Sequence, residues 1–212
     1  GTIGVERRRG SRRGTRRRDA EGTHTVARSI YIASPNAGTG KSTVALGLIV
    51  CLTKVVAKVG VFRPFVDSRD EDPFLNLLLA RSGSATPAAQ CIGVTWDKYH
   101  AAPEESLSRI VDAYRAVARD HDVVIIDGSD FTDVAGTPEL DLNARVAANI
   151  GVPVLLVVSG RDAPEDVRAS VEVSVAEIAE NHARTVAVIA NRCPAAARGA
   201  VSATLSGIED LT

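Results

Sequence analysis

The chain has 212 residues, of which 45% are hydrophobic and 24% are charged, and its formal net charge is −1. This length allows one substantial buried core and is short for two domains, so we expect a single globular domain. Arginine is concentrated in the first twenty residues, which leaves the remainder acidic and argues against nucleic-acid binding by the globular part.

The chain begins with an arginine-rich segment, residues 1–28, which contains Arg7, Arg8, Arg9, Arg12, Arg13, Arg16, Arg17 and Arg18. This segment has no apolar periodicity and few residues that could be buried, so we predict a disordered tail. A polyanion-binding arm is the alternative. We favour a solvated tail, because glycine, serine and threonine are interleaved without aromatic residues on which bases could stack.

From residue 29 onward, short apolar runs alternate with longer amphipathic ones. The short runs are SIYIAS, KVGVFRP, DVVIIDG, VPVLLVVS and TVAVIANR, and the long ones are KSTVALGLIVCLTKVVA, PEESLSRIVDAYRAVARDH, LDLNARVAANIG and APEDVRASVEVSVAEIAENH. Because the short runs are nearly all apolar, we predict strands of a mostly parallel sheet buried on both faces. The alternation predicts a three-layer, doubly wound α/β fold. Residues 65–90 form a less regular insertion with one predicted helix, DPFLNLLLARSG, which ends at Gly83.

The stretch after the first predicted strand, SPNAGTGKST at residues 34–43, is typical of a phosphate-binding loop. Small residues let backbone N–H groups turn towards phosphates, the following helix presents its positive end, the lysine reaches the outer phosphates, and the next hydroxyl binds Mg²⁺. The pattern GxxxxGK(S/T) would have glycine where this chain has Pro35, which is tolerable if no inward N–H is needed there. A glycine-rich turn with an incidental lysine is the alternative. We predict a P-loop site for ATP or ADP with Mg²⁺, formed by Asn36, Ala37, Gly38, Thr39, Gly40, Lys41, Ser42 and Thr43.

Three other predicted strands end in polar residues, and ligands of doubly wound sheets bind at the carboxyl ends of the strands. Asp127 ends the third predicted strand, where such folds hold Mg²⁺, so we predict Ser42 and Asp127 as the metal-binding residues. An Asp-Gly turn formed for local reasons is the alternative for Asp127. Arg63 follows the second strand and could pair with phosphate or carboxylate, or be a surface arginine before a proline turn. Asn191 follows the last strand and could face a nucleotide base, or lie in an ordinary turn.

The cysteines and the apolar runs favour a cytoplasmic protein. Cys51, Cys91 and Cys193 are far apart, with neither a CxxC pair nor histidines at ligand spacing, so a disulfide framework and a metal site are both disfavoured. No apolar run approaches the roughly 18 to 20 residues that a membrane helix needs, and residues 1–28 lack the apolar segment of a secretory signal.

Five stretches together resemble a known family: ASPNAGTGKSTVALGL, KVGVFRP, DVVIIDGSDFTD, ELDLNARVAANIGVPVLLVVSGRD and VAVIANRC. They look like the amino-terminal P-loop domain of long-form bacterial phosphate acetyltransferases, particularly the actinobacterial type, which is itself similar to dethiobiotin synthetase. The likeness covers residues 29–193. By resemblance, Lys41, Ser42 and Asp127 match the P-loop and acidic residues of these proteins.

Arg63 replaces the lysine that dethiobiotin synthetases carry before a proline, and Asn191 matches their adenine-facing asparagine. The glycine-rich stretch that follows the acid in those enzymes is here GSDFTD. This departure and the Arg63 replacement both argue against that synthetase's own substrate chemistry.

The resemblance implies an indirect function. In long-form phosphate acetyltransferases, a carboxyl-terminal domain of the same polypeptide transfers acetyl between coenzyme A and phosphate, and the P-loop domain regulates activity and assists assembly. We therefore expect a regulatory domain that is inactive in acetyl transfer, with residues 194–212 as a linker towards that catalytic domain. We expect a homo-oligomer in the full-length protein, and neither a membrane nor a nucleic acid as partner.

Two other functions are alternatives. An ATP-dependent ligase of the dethiobiotin synthetase type would activate a small carboxylate or carbamate by phosphoryl transfer. A partitioning-type ATPase would dimerise across ATP, but that class usually carries a second lysine early in the loop, where this chain has Ser34, Pro35, Asn36 and Ala37.

Overall fold

A computed structural model describes residues 28–68, 72–129 and 139–208. The predicted tail, apart from Arg28, lies outside these described residues. So do residues 130–133 of the GSDFTD stretch and the last four residues of the predicted linker.

The described residues form six strands and seven helices. The strands are β1 (Arg28–Ala33), β2 (Val59–Val66), β3 (Ile92–Thr95), β4 (Val123–Asp127), β5 (Val154–Ser159) and β6 (Thr185–Asn191). The helices are α1 (Lys41–Leu52), α2 (Pro73–Ser82), α3 (Trp96–Ala101), α4 (Pro103–Arg119), α5 (Glu139–Ile150), α6 (Pro164–Glu180) and α7 (Arg198–Leu205), with a short 3-10 turn at Ala88–Gln90.

All six strands are parallel, in the order β3-β2-β4-β1-β5-β6. Helices α1 and α2 pack together against β1, β2 and β4, while α4, α5 and α6 pack side by side on the sheet. This arrangement confirms the predicted doubly wound α/β fold. From β1 the chain adds strands first on one side and later on the other, so the carboxyl end of β1 lies at the switch point where such folds bind ligands.

The central strands are apolar because both of their faces are covered. Ile32 of β1, Ile125 and Ile126 of β4 and Leu156 of β5 are fully buried. Full burial of a branched side chain of this size stabilises the fold by roughly 1.5–3 kcal/mol relative to exposure. The continuous apolar runs in the sequence therefore reflect burial on both faces of a parallel sheet.

Strand β3 was not predicted from the sequence. It has only four residues and contains Gly93, so it carries little strand signal. Its glycine is required by close packing, because a Cβ at position 93 would lie 2.4 Å from the carbonyl oxygen of Pro64 and 2.8 Å from Cγ1 of Ile110. As a consequence of β3, Asp127 ends the fourth strand of the chain rather than the third.

The prediction that Arg63 follows the second strand is wrong, because β2 continues to Val66. Residues 59–62 of β2 pair with β4, whereas Arg63, Phe65 and Val66 pair with β3. Pro64 lies two residues beyond Phe62, the last residue of β2 that pairs with β4, so its missing N–H costs no hydrogen bond on that side. Arg63 thus lies at the point where β2 stops pairing with β4 and pairs with β3 alone.

The segment from residue 194, predicted as a linker, contains helix α7, which packs on α6. Val201 of α7 is buried. Among residues 28–68, 72–129 and 139–208, no helix is both long and apolar enough to cross a membrane.

Replacing Gly93 with alanine should reduce the free energy of unfolding by about 3 kcal/mol, because the added methyl meets a backbone carbonyl that cannot move aside. Gly47→Ala is the matched control. Gly47 lies in α1 with nothing within 4 Å of the added Cβ, so this variant should gain about 0.5–1 kcal/mol. Urea denaturation measures both, and equal effects of the two variants would contradict the packing at Gly93.

Candidate functional site

The loop after β1 has the backbone of a phosphate-binding turn. Gly38 and Gly40 adopt positive φ angles of 75° and 84°, which glycine reaches without steric cost. Gly40 is the N-cap of α1, whose first turn carries no acidic residue that would compete with an anion for its positive end. Asn36, Ala37 and Gly38 are exposed at the tip of the loop.

Lys41 lies beneath this loop and points towards β4. Its side chain is fully buried, and Nζ donates hydrogen bonds to Oδ1 of Asp127 at 2.7 Å and to the carbonyl oxygen of Gly128 at 2.6 Å. The structure therefore brings together the P-loop lysine and the strand-end carboxylate that the sequence predicts to act on one ligand. A buried lysine is tolerated here because its charge is paired and hydrogen-bonded.

Arg63 adds a second cation to the same carboxylate. Its Nε lies 3.3 Å from Oδ2 of Asp127, and its Nη1 forms an ion pair with Asp72. Asp72 is also the N-cap of α2, where its Oδ1 accepts a hydrogen bond from the Leu75 backbone at 2.9 Å. Lys41, Asp127, Arg63 and Asp72 thus form a row of alternating charges from α1 to the start of α2, which we call the ion row.

The ion row leaves acceptor capacity for a cation. Asp127 Oδ2 is buried and accepts no hydrogen bond within the described part of the chain, although it lies beside the Arg63 guanidinium. A carboxylate oxygen is a hard ligand of the kind that Mg²⁺ prefers. Ser42, half-buried in the first turn of α1, offers a hydroxyl next to Lys41. The donor set therefore fits a magnesium ion that keeps water and phosphate ligands.

Asn191 lies on the other side of the loop, at the end of β6. Its Nδ2 donates a hydrogen bond to the carbonyl oxygen of Thr39 at 2.9 Å. A Cβ on Gly40 would lie only 2.4 Å from this Nδ2. Asn191 therefore holds the loop from the β6 side through this hydrogen bond. Only glycine fits at position 40, because the Asn191 amide occupies the space of a Cβ.

A buried polar network supports the β4 side of the site. Tyr31 of β1 donates from its hydroxyl to Oδ1 of Asn143 at 2.7 Å, and the Ser129 backbone N–H donates to the same oxygen at 3.0 Å. Asn143 Nδ2 donates to the Glu139 carbonyl at 2.9 Å, and Ser129 Oγ donates to the Glu139 carboxylate at 2.8 Å. This network fixes the backbone directly after Asp127 to β1 and α5.

Burial raises the pKa of Tyr31 well above its usual range, and the negative charges of Asp127 and Glu139 raise it further. The phenol therefore stays protonated at physiological pH and remains a hydrogen-bond donor. It holds Asn143 without adding a negative charge next to Asp127.

Sequence reasoning missed several residues of this region. Asp72 had a local signal, since it precedes Pro73 at the start of α2, but nothing in the sequence pairs it with Arg63. Tyr31 and Asn143 sit within apolar or helical runs and are 112 positions apart.

Two predicted loop residues, Thr39 and Thr43, differ in exposure. Thr39 is buried, and its Oγ1 has no hydrogen-bond partner among the described residues, whereas Thr43 is exposed on α1.

Comparison with known proteins finds a matching family and related proteins for this chain. Residues 28–211 match the profile of a family described as AAA domain. A phosphate acetyltransferase of Nitratidesulfovibrio vulgaris is 30% identical over 184 residues, covering 79% of this chain and 25% of that protein. A phosphate acetyltransferase of Synechocystis sp. is 26% identical over 137 residues, covering 61% of this chain and 20% of that protein. The chain thus spans about a quarter or less of the length of these relatives.

Solved structures share the fold. The BceF tyrosine kinase domain superposes with a TM-score of 0.52 at 19% identity, covering 79% of this chain and 69% of that one. The VpsO kinase domain superposes with a TM-score of 0.52 at 18% identity, covering 79% and 86% respectively. At such identities the likeness bears on architecture alone, and it confirms the predicted P-loop fold.

Tyr31→Phe should lower the free energy of unfolding by about 1 kcal/mol at pH 7, because it removes one buried hydrogen bond while the Ser129 N–H still satisfies Asn143. The folded-state pKa is raised, so the stabilisation by Tyr31 is complete below the unfolded pKa near 10 and is lost as pH rises above it.

The difference between wild type and Tyr31→Phe should therefore shrink above pH 10, by up to about 1.4 kcal/mol per pH unit. Urea denaturation between pH 7 and pH 11 measures it. A difference that stays constant across this range would contradict the raised pKa of Tyr31.

Proposed function

The chain belongs to the AAA domain family, and on that premise we propose that it is the nucleotide-binding regulatory domain of a phosphate acetyltransferase. The observation that carries the nucleotide part is the ion row, since Lys41 and Asp127 meet beneath a glycine-rich loop at the switch point of a parallel sheet. Phosphates on this loop would accept hydrogen bonds from Lys41. Mg²⁺ bound by Ser42 and Asp127 would supply the positive charge that Asp127 then lacks.

The adenine preference is proposed from Asn191. The Thr39 carbonyl can only accept a hydrogen bond, so the amide of Asn191 is oriented with its Nδ2 towards the loop. Its Oδ1 accepts no hydrogen bond from any described residue. An acceptor at this place suits the amino group of adenine and opposes the carbonyl oxygen that guanine has there. We therefore propose ATP or ADP as the nucleotide, bound by residues 36–43 together with Arg63 and Asn191.

The regulatory part of the proposal is supported by the relatives. Both are named phosphate acetyltransferase, and this chain aligns with a quarter of one and a fifth of the other. We propose that a carboxyl-terminal domain of the same polypeptide transfers acetyl between coenzyme A and phosphate, in a cytoplasmic homo-oligomer. The P-loop domain would report the nucleotide state to it.

The ion row offers a path for that report. When a phosphate draws Lys41 away from Asp127, the balance of charge around Arg63 changes, and Arg63 is paired with the N-cap of α2. The start of α2 would therefore respond to the nucleotide through contiguous ion pairs. A ligand shifts such an equilibrium only by its difference in affinity for the two arrangements.

Lys41→Ala should weaken the binding of ATP or ADP with Mg²⁺ at least tenfold, which corresponds to about 1.4 kcal/mol for a lost charged phosphate contact. Lys54→Ala is the control, because Lys54 is exposed beyond the end of α1 and should leave affinity unchanged. Isothermal titration calorimetry measures both variants. Equal affinities for wild type and Lys41→Ala would show that the loop does not hold phosphate.

The chain alone should form no acetyl phosphate from acetyl-CoA and phosphate. Such an acyl transfer needs a coenzyme pocket, an orienting group and donors for the developing oxyanion, and the described carboxyl edge of the sheet presents a P-loop instead. His121 Nε2 lies 3.0 Å from Ser84 Oγ, but His121 lies two residues before the start of β4, at the opposite edge of the sheet.

A spectroscopic assay for released coenzyme A thiol tests this expectation, with Ser84→Ala to detect any turnover from the Ser84–His121 pair. Turnover that persists in Lys41→Ala would overturn the assignment of a purely regulatory domain. Loss of that turnover in Ser84→Ala would locate the activity at the opposite edge.

A further inference from the structure

One arginine at the P-loop has no role in the site described so far. Arg192 follows Asn191 at the end of β6, and its side chain lies against the last glycine of the loop. A Cβ built on Gly40 would lie 3.3 Å from Arg192 Nε. The guanidinium is exposed and forms no hydrogen bond or ion pair with any residue in the described ranges.

The backbone of Arg192 is held in an unfavourable conformation. Its φ is 59°, in the left-handed region that L-residues other than glycine avoid. The turn is tied to β5, because the Gly160 N–H donates to the Asn191 carbonyl at 2.7 Å. Gly160 itself has no room for a Cβ, which would lie 2.9 Å from Cβ of Cys193. Strain of this kind in a fixed turn is characteristic of ligand-binding positions.

The strand order assigns the two ends of a bound nucleotide. Arg63 and Asp127 lie on β2 and β4, on one side of the loop strand β1, whereas Asn191 and Arg192 lie at the end of β6, on its other side. The proposed metal and outer phosphates occupy the β4 side, next to Lys41. A nucleotide that lies along the loop therefore directs its ribose and base towards β6.

We propose that Arg192 is a nucleotide-binding residue that packs its guanidinium on the nucleoside end of the bound nucleotide. The inference rests on the proposed nucleotide site. A planar, weakly hydrated guanidinium packs on the face of a purine, where it gains cation–π and stacking energy. Arg192 has no other side-chain partner among the described residues, and its backbone is tied to β5 beside the loop, so it has the position and the chemistry for this contact.

The experiment compares two ligands that share phosphates but differ in the nucleoside. Isothermal titration calorimetry with ATP and with inorganic tripolyphosphate, each with Mg²⁺, is carried out on wild type, Arg192→Ala and Arg192→Lys. Arg198→Ala is the matched control, because it removes an exposed arginine from the start of α7, six positions along the chain.

Arg192→Ala should weaken ATP binding about fivefold or more and change tripolyphosphate binding less than twofold. Arg192→Lys should recover only part of the lost ATP affinity, because lysine keeps the positive charge but lacks the planar guanidinium that stacks on a base. Arg198→Ala should match wild type for both ligands. Arg192→Gly, which relieves the positive φ, should melt no lower than wild type and should still lose ATP affinity, which separates binding from folding.

Two results would overturn the inference alone. If Arg192→Ala weakens the binding of ATP and of tripolyphosphate equally, Arg192 contacts the phosphates and not the nucleoside. If Arg192→Ala binds ATP as tightly as Arg198→Ala does, Arg192 makes no contact with the nucleotide. In both cases Lys41→Ala would still weaken ATP binding at least tenfold relative to wild type. If wild type itself binds neither ligand, the proposed function fails, and this inference fails with it.

Discussion

The contact between Lys41 and Asp127 is the interaction on which the site depends. Both side chains are fully buried, and the lysine donates to the Gly128 carbonyl as well. Removing one partner of a buried ion pair costs about 3–5 kcal/mol, because the other charge is left without compensation. The pair therefore ties the loop and α1 to the end of β4, the strand that pairs with β1.

The surroundings of the pair explain how it can also yield to a ligand. Two cations and two anions alternate along the ion row, so its formal charge is zero. In the proposed nucleotide complex, anionic oxygens would pair with Lys41 and Mg²⁺ would pair with Asp127, so neither buried charge would be left without a partner. The Tyr31–Asn143 network keeps the backbone after Asp127 in place without contributing a charge, since burial keeps the phenol protonated. The proposed response to a nucleotide would combine this rigid support on one side with ion pairs on the other that a ligand can replace.

The sequence predicts those parts of the structure that depend on local patterns. The continuous apolar runs predict β1, β4 and β5, because strands buried on both faces need no polar side chains. The glycine spacing predicts the loop, and the position of Asp127 at the carboxyl end of an apolar strand predicts that it lies near the loop. Contacts such as Arg63 with Asp72 depend on how β2 leaves β4, which is a property of the sheet. Strand β3 escaped prediction because its glycine is selected by the Pro64 carbonyl and Ile110, neighbours that only the fold brings together.

Gly40 shows how one residue can be required twice. A phosphate loop needs a positive φ and a small residue at this position, and that requirement is visible in the sequence motif. The second requirement comes from Asn191, whose amide occupies the space of a Cβ while it holds the Thr39 carbonyl. The side of the loop that faces β6 is therefore shaped by an asparagine 151 positions away. Because the same turn carries Arg192, the geometry of the phosphate loop and the placement of the proposed nucleoside contact are set by a single stretch of backbone.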